Sequence, residues 1–437
     1  MTSSAPHRPG PARRRRPSSV VVAVLASGLL ASCAGGPGAV ASAGASSRTV
    51  SAAPRATERA ASAPRLAVTY DGGVLVLDAL SLEPVADLPL AGYLRVNAAG
   101  DGRHVLVSTT GGFRVLDAAT WGHAHGDHAH WYTADPLLTD VTYPAEEPGH
   151  VVVHAGRTAM FDDATGHVVV VDSAHVAEGP GGEHVDAREH TTPHPHHGVA
   201  VELEDGTLVV SDGTAEARTG VRVLDAGGNV RAATDECPGV HGETVSAGGA
   251  VTVGCEDGVV LLRDGVLTKI DGPGEYARIG NQAGSEHSPV ALGDLKVDPD
   301  ATLERPNRVS LVDTRSGELR TVALPASYTF RSLARGDDGE ALVLGTDGAL
   351  HVIDPGTGRI ERSVPLVDPW TEPEDWQTPR PSLRVHDGSA YVTDPATRRV
   401  IAVDVRTGEV FRTATLDVVP DEMAVATGEA PDEHGHH

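Results

Sequence analysis

From about Leu66 onward the chain repeats one short element at a spacing of roughly 40 residues, the length of a propeller blade. The element is an apolar residue, Asp, two variable residues, then Ser or Thr with Gly. It stands at Val312, Asp313, Ser316 and Gly317, at Ile353, Asp354, Thr357 and Gly358, and at Val403, Asp404, Thr407 and Gly408. Looser copies begin at Leu77-Asp78, Leu116-Asp117 and Leu224-Asp225. Asp in such a position bonds the turn backbone, and Gly supplies positive φ, so each copy reads as a tight turn between two strands. A β-rich run precedes each copy, as in Arg103–Ser108, Gly206–Ser211, Gly339–Gly345 and Gly388–Thr393. There is almost no helical periodicity. Each unit therefore reads as four strands joined by three turns.

First strands of successive units are expected near Tyr93, Gly149, His196, Val240, Ala277, Thr329 and Pro381. Residues 66–90 hold only the later strands of a further unit, and Pro420–Ala426 supplies its missing first strand. The fold class is accordingly all-β: a single β-propeller of eight blades, with seven as the alternative. Its ring is closed by the N- and C-terminal strands sharing a blade, which removes the exposed sheet edge. An insertion is expected around Lys296–Pro306. Since a propeller divides its core among blades, one domain over residues 65–426 is reasonable despite its length.

The N-terminus addresses the chain. Arg13–Arg16 is a basic n-region, and Val20–Leu30 is an apolar run too short to span a bilayer but right for a signal segment. It ends in Leu30-Ala31-Ser32-Cys33, which resembles a bacterial lipobox. Residues 1–32 read as a lipoprotein signal peptide, with an ordinary secretory signal as the alternative. Residues 33–64, rich in Ala, Ser, Gly and Pro, read as a tether from a lipidated Cys33. Either way the mature chain is extracytoplasmic, on the outer face of the cell membrane or secreted. The two remaining cysteines, Cys237 and Cys255, lie 18 residues apart, and an oxidising compartment favours pairing them. The pairing would contribute roughly 3 kcal/mol in the chain-entropy model; two buried thiols are the alternative. A net charge of −25 argues against nucleic acid and against an anionic membrane surface, so contact with a membrane is expected only through the lipid anchor.

Histidine use points to metal chemistry. Twelve of the 22 histidines fall into three short segments: four in 121–131, five in 184–197 and three in a tail, 427–437, that reads as flexible. Imidazole is the commonest metal ligand, and with interleaved carboxylates it suits zinc, copper or nickel. The near-absence of Met and free thiolate argues against Cu(I).

The stretch Ala390–Asp394 with Val403-Asp404 resembles the repeat of YVTN-type bacterial propellers. The His-rich segment with Asp127 is followed by Pro148-Gly149-His150 through His154 and by His196-His197-Gly198. Then come Cys237 through Glu243 and Gly254-Cys255-Glu256-Asp257-Gly258. In this order they resemble the AztD family of periplasmic zinc metallochaperones, over roughly residues 66–426. The resemblance implies a zinc-binding propeller that passes Zn²⁺ to the solute-binding protein of a zinc ABC transporter. It also implies a mobile His/Asp loop at His123, His125, Asp127, His128 and His130. The His-rich tail lies outside the matched motif.

In an extended segment residues two apart face the same way, which would put His123, His125 and Asp127 on one side and His128 and His130 on the other. A solvated loop with no fixed site is the alternative. His196, His197 and His241 sit at the start of expected first strands, which in a propeller line the central channel. Glu243 follows His241 on the same face, and His287 is a weaker candidate of the same kind. The expectation is a non-enzymatic, monomeric metallochaperone. A secreted metal-dependent propeller enzyme of hydrolase or lactonase type and an adhesion or scaffold propeller are the alternatives. Against the enzyme, the chain has no G-x-S-x-G and no H-E-x-x-H.

Overall fold

The computed structural model describes residues 56–429 apart from Asp127. Residues 1–55, with the signal-like segment and Cys33, and the tail histidines 434, 436 and 437 lie outside the described residues. No helix among the described residues is long and apolar enough to cross a membrane.

Strands form wherever the alternating and β-branched runs occur, and they assemble into eight four-stranded antiparallel sheets. The first sheet joins Met423–Ala426 to Arg65–Tyr70, Gly73–Asp78 and Pro84–Pro89. Arg65 pairs with Ala426 and Val68 with Met423, so strands from near both ends of the described chain share one sheet. The second holds Arg95–Ala98, His104–Thr109, Gly112–Asp117 and Leu137–Pro144. The third holds Pro148–His154, Arg157–Asp162, His167–Asp172 and Arg188–Thr191. The first strands of the remaining five are Ala200–Glu202, Glu243–Ser246, Gln282–Ser285, Leu333–Arg335 and Leu383–His386. The expected insertion is the segment between Ser288–Asp294 and Arg308–Asp313 in the sixth sheet.

The turns work as their residues dictate. Asp404 Oδ1 accepts from Thr407 Oγ1 at 2.8 Å and from the Thr407 backbone N–H at 2.6 Å. Asp354 Oδ1 accepts from Thr357 N–H at 2.7 Å. Gly408, at φ +76°, turns the chain where a side chain would be strained.

Packing follows the same order. Middle strands such as Ala250–Cys255 are buried throughout, and fourth strands such as Val410–Thr415 are largely exposed. The buried residues of each apolar cluster come from two sheets, consecutive in the chain except for the first and the eighth. Ala159, Phe161, Val168 and Val170 of the third sheet pack with Ala200, Leu208, Val210 and Leu224 of the fourth. Leu66, Val68, Leu75 and Leu77 of the first pack with Tyr391, Val400 and Ala402 of the eighth. A bridge between Cys237 and Cys255 is formed, as expected, and lies within the cluster shared by the fourth and fifth sheets.

One boundary moves. The tether was expected to run through residue 64, but Thr57–Arg59 is a strand. It pairs with Trp131–Thr133 of a hairpin, Thr120–His125 and His128–Thr133, inserted between the third and fourth strands of the second sheet. Glu58 and Arg59 explain the pairing: Glu58 Oε1 meets His130 Nδ1 at 2.8 Å, and Arg59 donates to Thr133 Oγ1 at 2.8 Å.

Antiparallel sheets of four strands have two ends. First-to-second and third-to-fourth connections leave by one end; second-to-third connections and those to the next sheet leave by the other. The His-rich hairpin belongs to the former end.

Candidate metal centre

Three imidazoles converge from three consecutive sheets. His150 is the third residue of the strand Pro148–His154. His197 and His241 lie in the connections entering the strands Ala200–Glu202 and Glu243–Ser246. Their ring centroids form a nearly equilateral triangle of 5.0, 5.2 and 4.9 Å, and one ligand atom from each lies within 4.8 Å of the others. All three sit at the end of the strands opposite the hairpin.

Each ring is held from behind. His197 Nδ1 bonds Asp163 Oδ2 at 2.5 Å, from the second-to-third turn of the third sheet. His241 Nδ1 donates to the Gly280 carbonyl. Gly149 permits the first arrangement, because a Cβ there would lie 2.2 Å from Asp163 Oδ1. A carbonyl only accepts, so neutral His241 carries its proton on Nδ1 and offers the Nε2 lone pair. Neutral His197, donating to Asp163, does the same. Yet the two Nε2 atoms stand 3.0 Å apart. Two acceptors at that distance repel unless a proton or a cation lies between them. Tetrahedral ligands at zinc bond lengths are roughly 3.3–3.4 Å apart, close to this spacing.

Burial keeps these rings ready. Burial and the neighbouring His197 push the His241 pKa down to about 3. Burial, then His241 and His197, hold His150 well below the usual imidazole range. Glu243 faces the same group, its Oε2 3.7 Å from His150 Nδ1. That oxygen is buried without a hydrogen-bond partner, and burial raises the carboxyl pKa to about 8. An orphaned buried carboxyl oxygen beside three converging imidazoles is a donor set that a divalent ion of zinc's class completes. The group borders a cavity of about 280 Å³, also lined by Arg95, Gln282, Arg331 and Glu422. Glu422 pairs with Arg331 at 3.0 Å and with Arg95 at 3.1 Å, and Arg384 also lines the cavity, so guanidinium groups outnumber carboxylates on its wall.

His197, His241 and Glu243 are thus brought together. His196, expected beside them, is not. It is buried against Phe161, with Nε2 on Ser211 Oγ and Nδ1 on the His194 carbonyl, both at 2.9 Å. His197 alone of the pair turns toward Asp163 and His241. His287 is an exposed turn residue whose N–H bonds Ser285 Oγ, and it belongs to neither three-ligand group among the described residues. His150 and Asp163 were missed as site residues. His150 could have been found, since it stands in an expected first strand. Asp163 carries no sequence signal, because only the fold brings its turn to His197.

The His-rich segment departs from its expected parity. It is a hairpin in which His123 opposes His130 and His125 opposes His128. Cross-strand partners share a face, so all four histidines lie on one side rather than two. His125, His128 and His130 have ring centroids 5.0–6.2 Å apart. Its base is fixed by stacking of Trp121 on Tyr132 at 5.7 Å and by Arg103 over Trp121 at 4.3 Å. Asp127 lies outside the described residues.

Comparison with known proteins bears out the resemblance read from the sequence. The chain is 27% identical over 371 residues to the zinc chaperone AztD of Citrobacter koseri, across 83% of this chain and 86% of that protein. A crystal structure of Citrobacter koseri AztD matches with a TM-score of 0.72 at 25% identity, over 84% of this chain and 98% of that one. The apo form matches with a TM-score of 0.71 at 24% identity, over 84% and 98%. The dihydro-heme d1 dehydrogenase NirN matches with a TM-score of 0.55 at 11% identity, a likeness of fold alone. No protein-family profile matches the chain.

Proposed function

We propose that this chain, similar to the AztD zinc chaperones, is a non-catalytic zinc metallochaperone. The observation that carries the reading is the convergence of His150, His197 and His241, with two lone pairs facing each other at 3.0 Å. Zinc is the cargo. The three imidazoles hold it, Asp163 and Gly280 orient two of the rings, and Glu243 or water takes the fourth position. A site pinned by three sheets is formed before the ion arrives, which favours tight binding. A fourth position served by an exchangeable ligand lets an acceptor's donor enter before the ion leaves.

The architecture that supports this is an eight-bladed closed propeller acting as a monomer. Eight four-stranded sheets, the pairing of Met423–Ala426 with Arg65–Val68, and the cluster shared by the first and eighth sheets support that count. The acceptor is the solute-binding protein of a zinc ABC transporter. The protein works outside the cytoplasm, tethered by a lipidated Cys33, with residues 1–32 removed. The test is direct. Zinc-loaded protein is mixed with an apo solute-binding protein of that class in the presence of a competing chelator. Direct transfer predicts an acceptor loading rate that rises with acceptor concentration and is insensitive to chelator. Loading that the chelator abolishes contradicts the chaperone role.

A further inference from the structure

A second set of ligands stands at the other end of the strands, away from the three imidazoles. After the strand His167–Asp172 the chain enters a 3₁₀ helix, Ser173–Glu178, capped by the Asp172 side chain on Ala174 N–H. In a 3₁₀ helix residues i and i+3 eclipse, so His175 and Glu178 share a face. The opposite face is fixed: Ser173 and Val176 are buried, and Tyr143 Oη donates to the Val176 carbonyl at 2.9 Å. Two successive turns, Gly182 N–H to Gly179 O at 3.0 Å and Val185 N–H to Gly182 O at 3.3 Å, bring the chain back. Val185 packs on the cluster containing Val176 and Tyr143. His184 thereby lands beside His175.

Glu178 ties the three together. Its Oε2 accepts the His184 backbone N–H at 3.0 Å, which fixes the carboxylate plane. Its Oε1 meets His184 Nδ1 at 2.9 Å and His175 Nδ1 at 3.2 Å. The two rings stack with centroids 5.4 Å apart. One ligand atom from each of the three residues lies within 4.8 Å of the other two. The two contacts are near the roughly 3.3–3.4 Å edge of a zinc tetrahedron. Glu178 and His184 are exposed, so water can complete the coordination.

We infer that His175, Glu178 and His184 form a second binding site for a divalent cation of zinc's class, independent of the three-imidazole centre. Both rings deliver Nδ1, Glu178 delivers Oε1, and the Glu178 Oε2 bond to His184 N–H holds the loop in place with or without the ion. The partial exposure makes it an exchangeable site rather than a retaining one.

The test uses the full exported chain and two readouts. The first is titration with cobalt(II), followed by its visible absorption. H175A/H184A is expected to bind one equivalent fewer than the parent, and E178Q to weaken that equivalent at least tenfold. Circular dichroism checks that both variants stay folded. The second is histidine modification by diethyl pyrocarbonate, read residue by residue by mass spectrometry. Excess zinc is expected to protect His175 and His184 in the parent. Protection of His150, His197 and His241 is read in the same experiment, so failure of the chaperone reading is distinguishable from failure of this one. Equal cobalt stoichiometry in the parent and H175A/H184A, or unprotected His175 and His184 at saturating zinc, would overturn the assignment.

Discussion

His197 Nε2 stands 3.0 Å from His241 Nε2, although the other nitrogen of each ring is already committed, to Asp163 and to the Gly280 carbonyl. Committing both Nδ1 atoms fixes both tautomers, and the fold then aims two lone pairs at one point. His150 closes the triangle from a third sheet.

Asp163 acts through His197 rather than on the ion. Asp163→Asn keeps the shape but removes the carboxylate that makes the ring basic. Zinc affinity is expected to fall about 10–100-fold, the usual effect of such partners. Competition titration against a chromophoric chelator measures it, with thermal unfolding expected to be nearly unchanged.

The metal-free fold should weaken in acid. The pKa of His241 is pushed down to about 3 in the folded chain, against about 6.5 unfolded. The unfolded chain therefore binds more protons between those values. The stability this gives is complete above about pH 6.5 and is lost as pH falls toward 3. By pH 5 the loss from this residue is at most about 2 kcal/mol. H241Q should show a shallower fall in melting temperature between pH 7 and 5 than the parent.

Glu243 has the opposite sign. Burial raises its pKa to about 8, so the folded chain holds a proton that the unfolded chain releases. Stability should then fall as pH rises from about 4.5 toward 8. Glu243→Gln removes that dependence. Relative to the parent, the urea midpoint of metal-free Glu243→Gln is expected to rise more at pH 8 than at pH 5, while the His241 dependence of opposite sign remains.

The hairpin and the centre should separate cleanly. Deleting residues 123–130 removes four histidines at the opposite end of the strands. Total zinc capacity is expected to drop, while the tightest affinity stays within about threefold. Equilibrium dialysis and competition titration on the same samples give both numbers.

The fold was largely legible because turn chemistry is local. Asp404 and Gly408 announce their turn, and Met423–Ala426 reads as a strand lacking neighbours in sequence. The site was half legible. His197, His241 and Glu243 follow from the rule that first strands face the channel. His196 misled because it lies with His197 in a connection, where sequence alone does not say which of two adjacent side chains faces inward. The hairpin histidines misled because parity along one strand says nothing once the strand folds back on itself. Asp163 and Gly280 were illegible, because their contacts with His197 and His241 span 34 and 39 residues. The group at His175, Glu178 and His184 mixes a helical spacing with a loop closure that no pattern announces.

In the proposed chaperone, three imidazoles from separate sheets make the tight zinc site. The most direct measurement is zinc affinity of H197A/H241A by competition titration, with circular dichroism as the check on folding. Loss of tight binding is expected, with only weaker sites remaining. A folded double variant that retains the parent affinity would contradict this assignment.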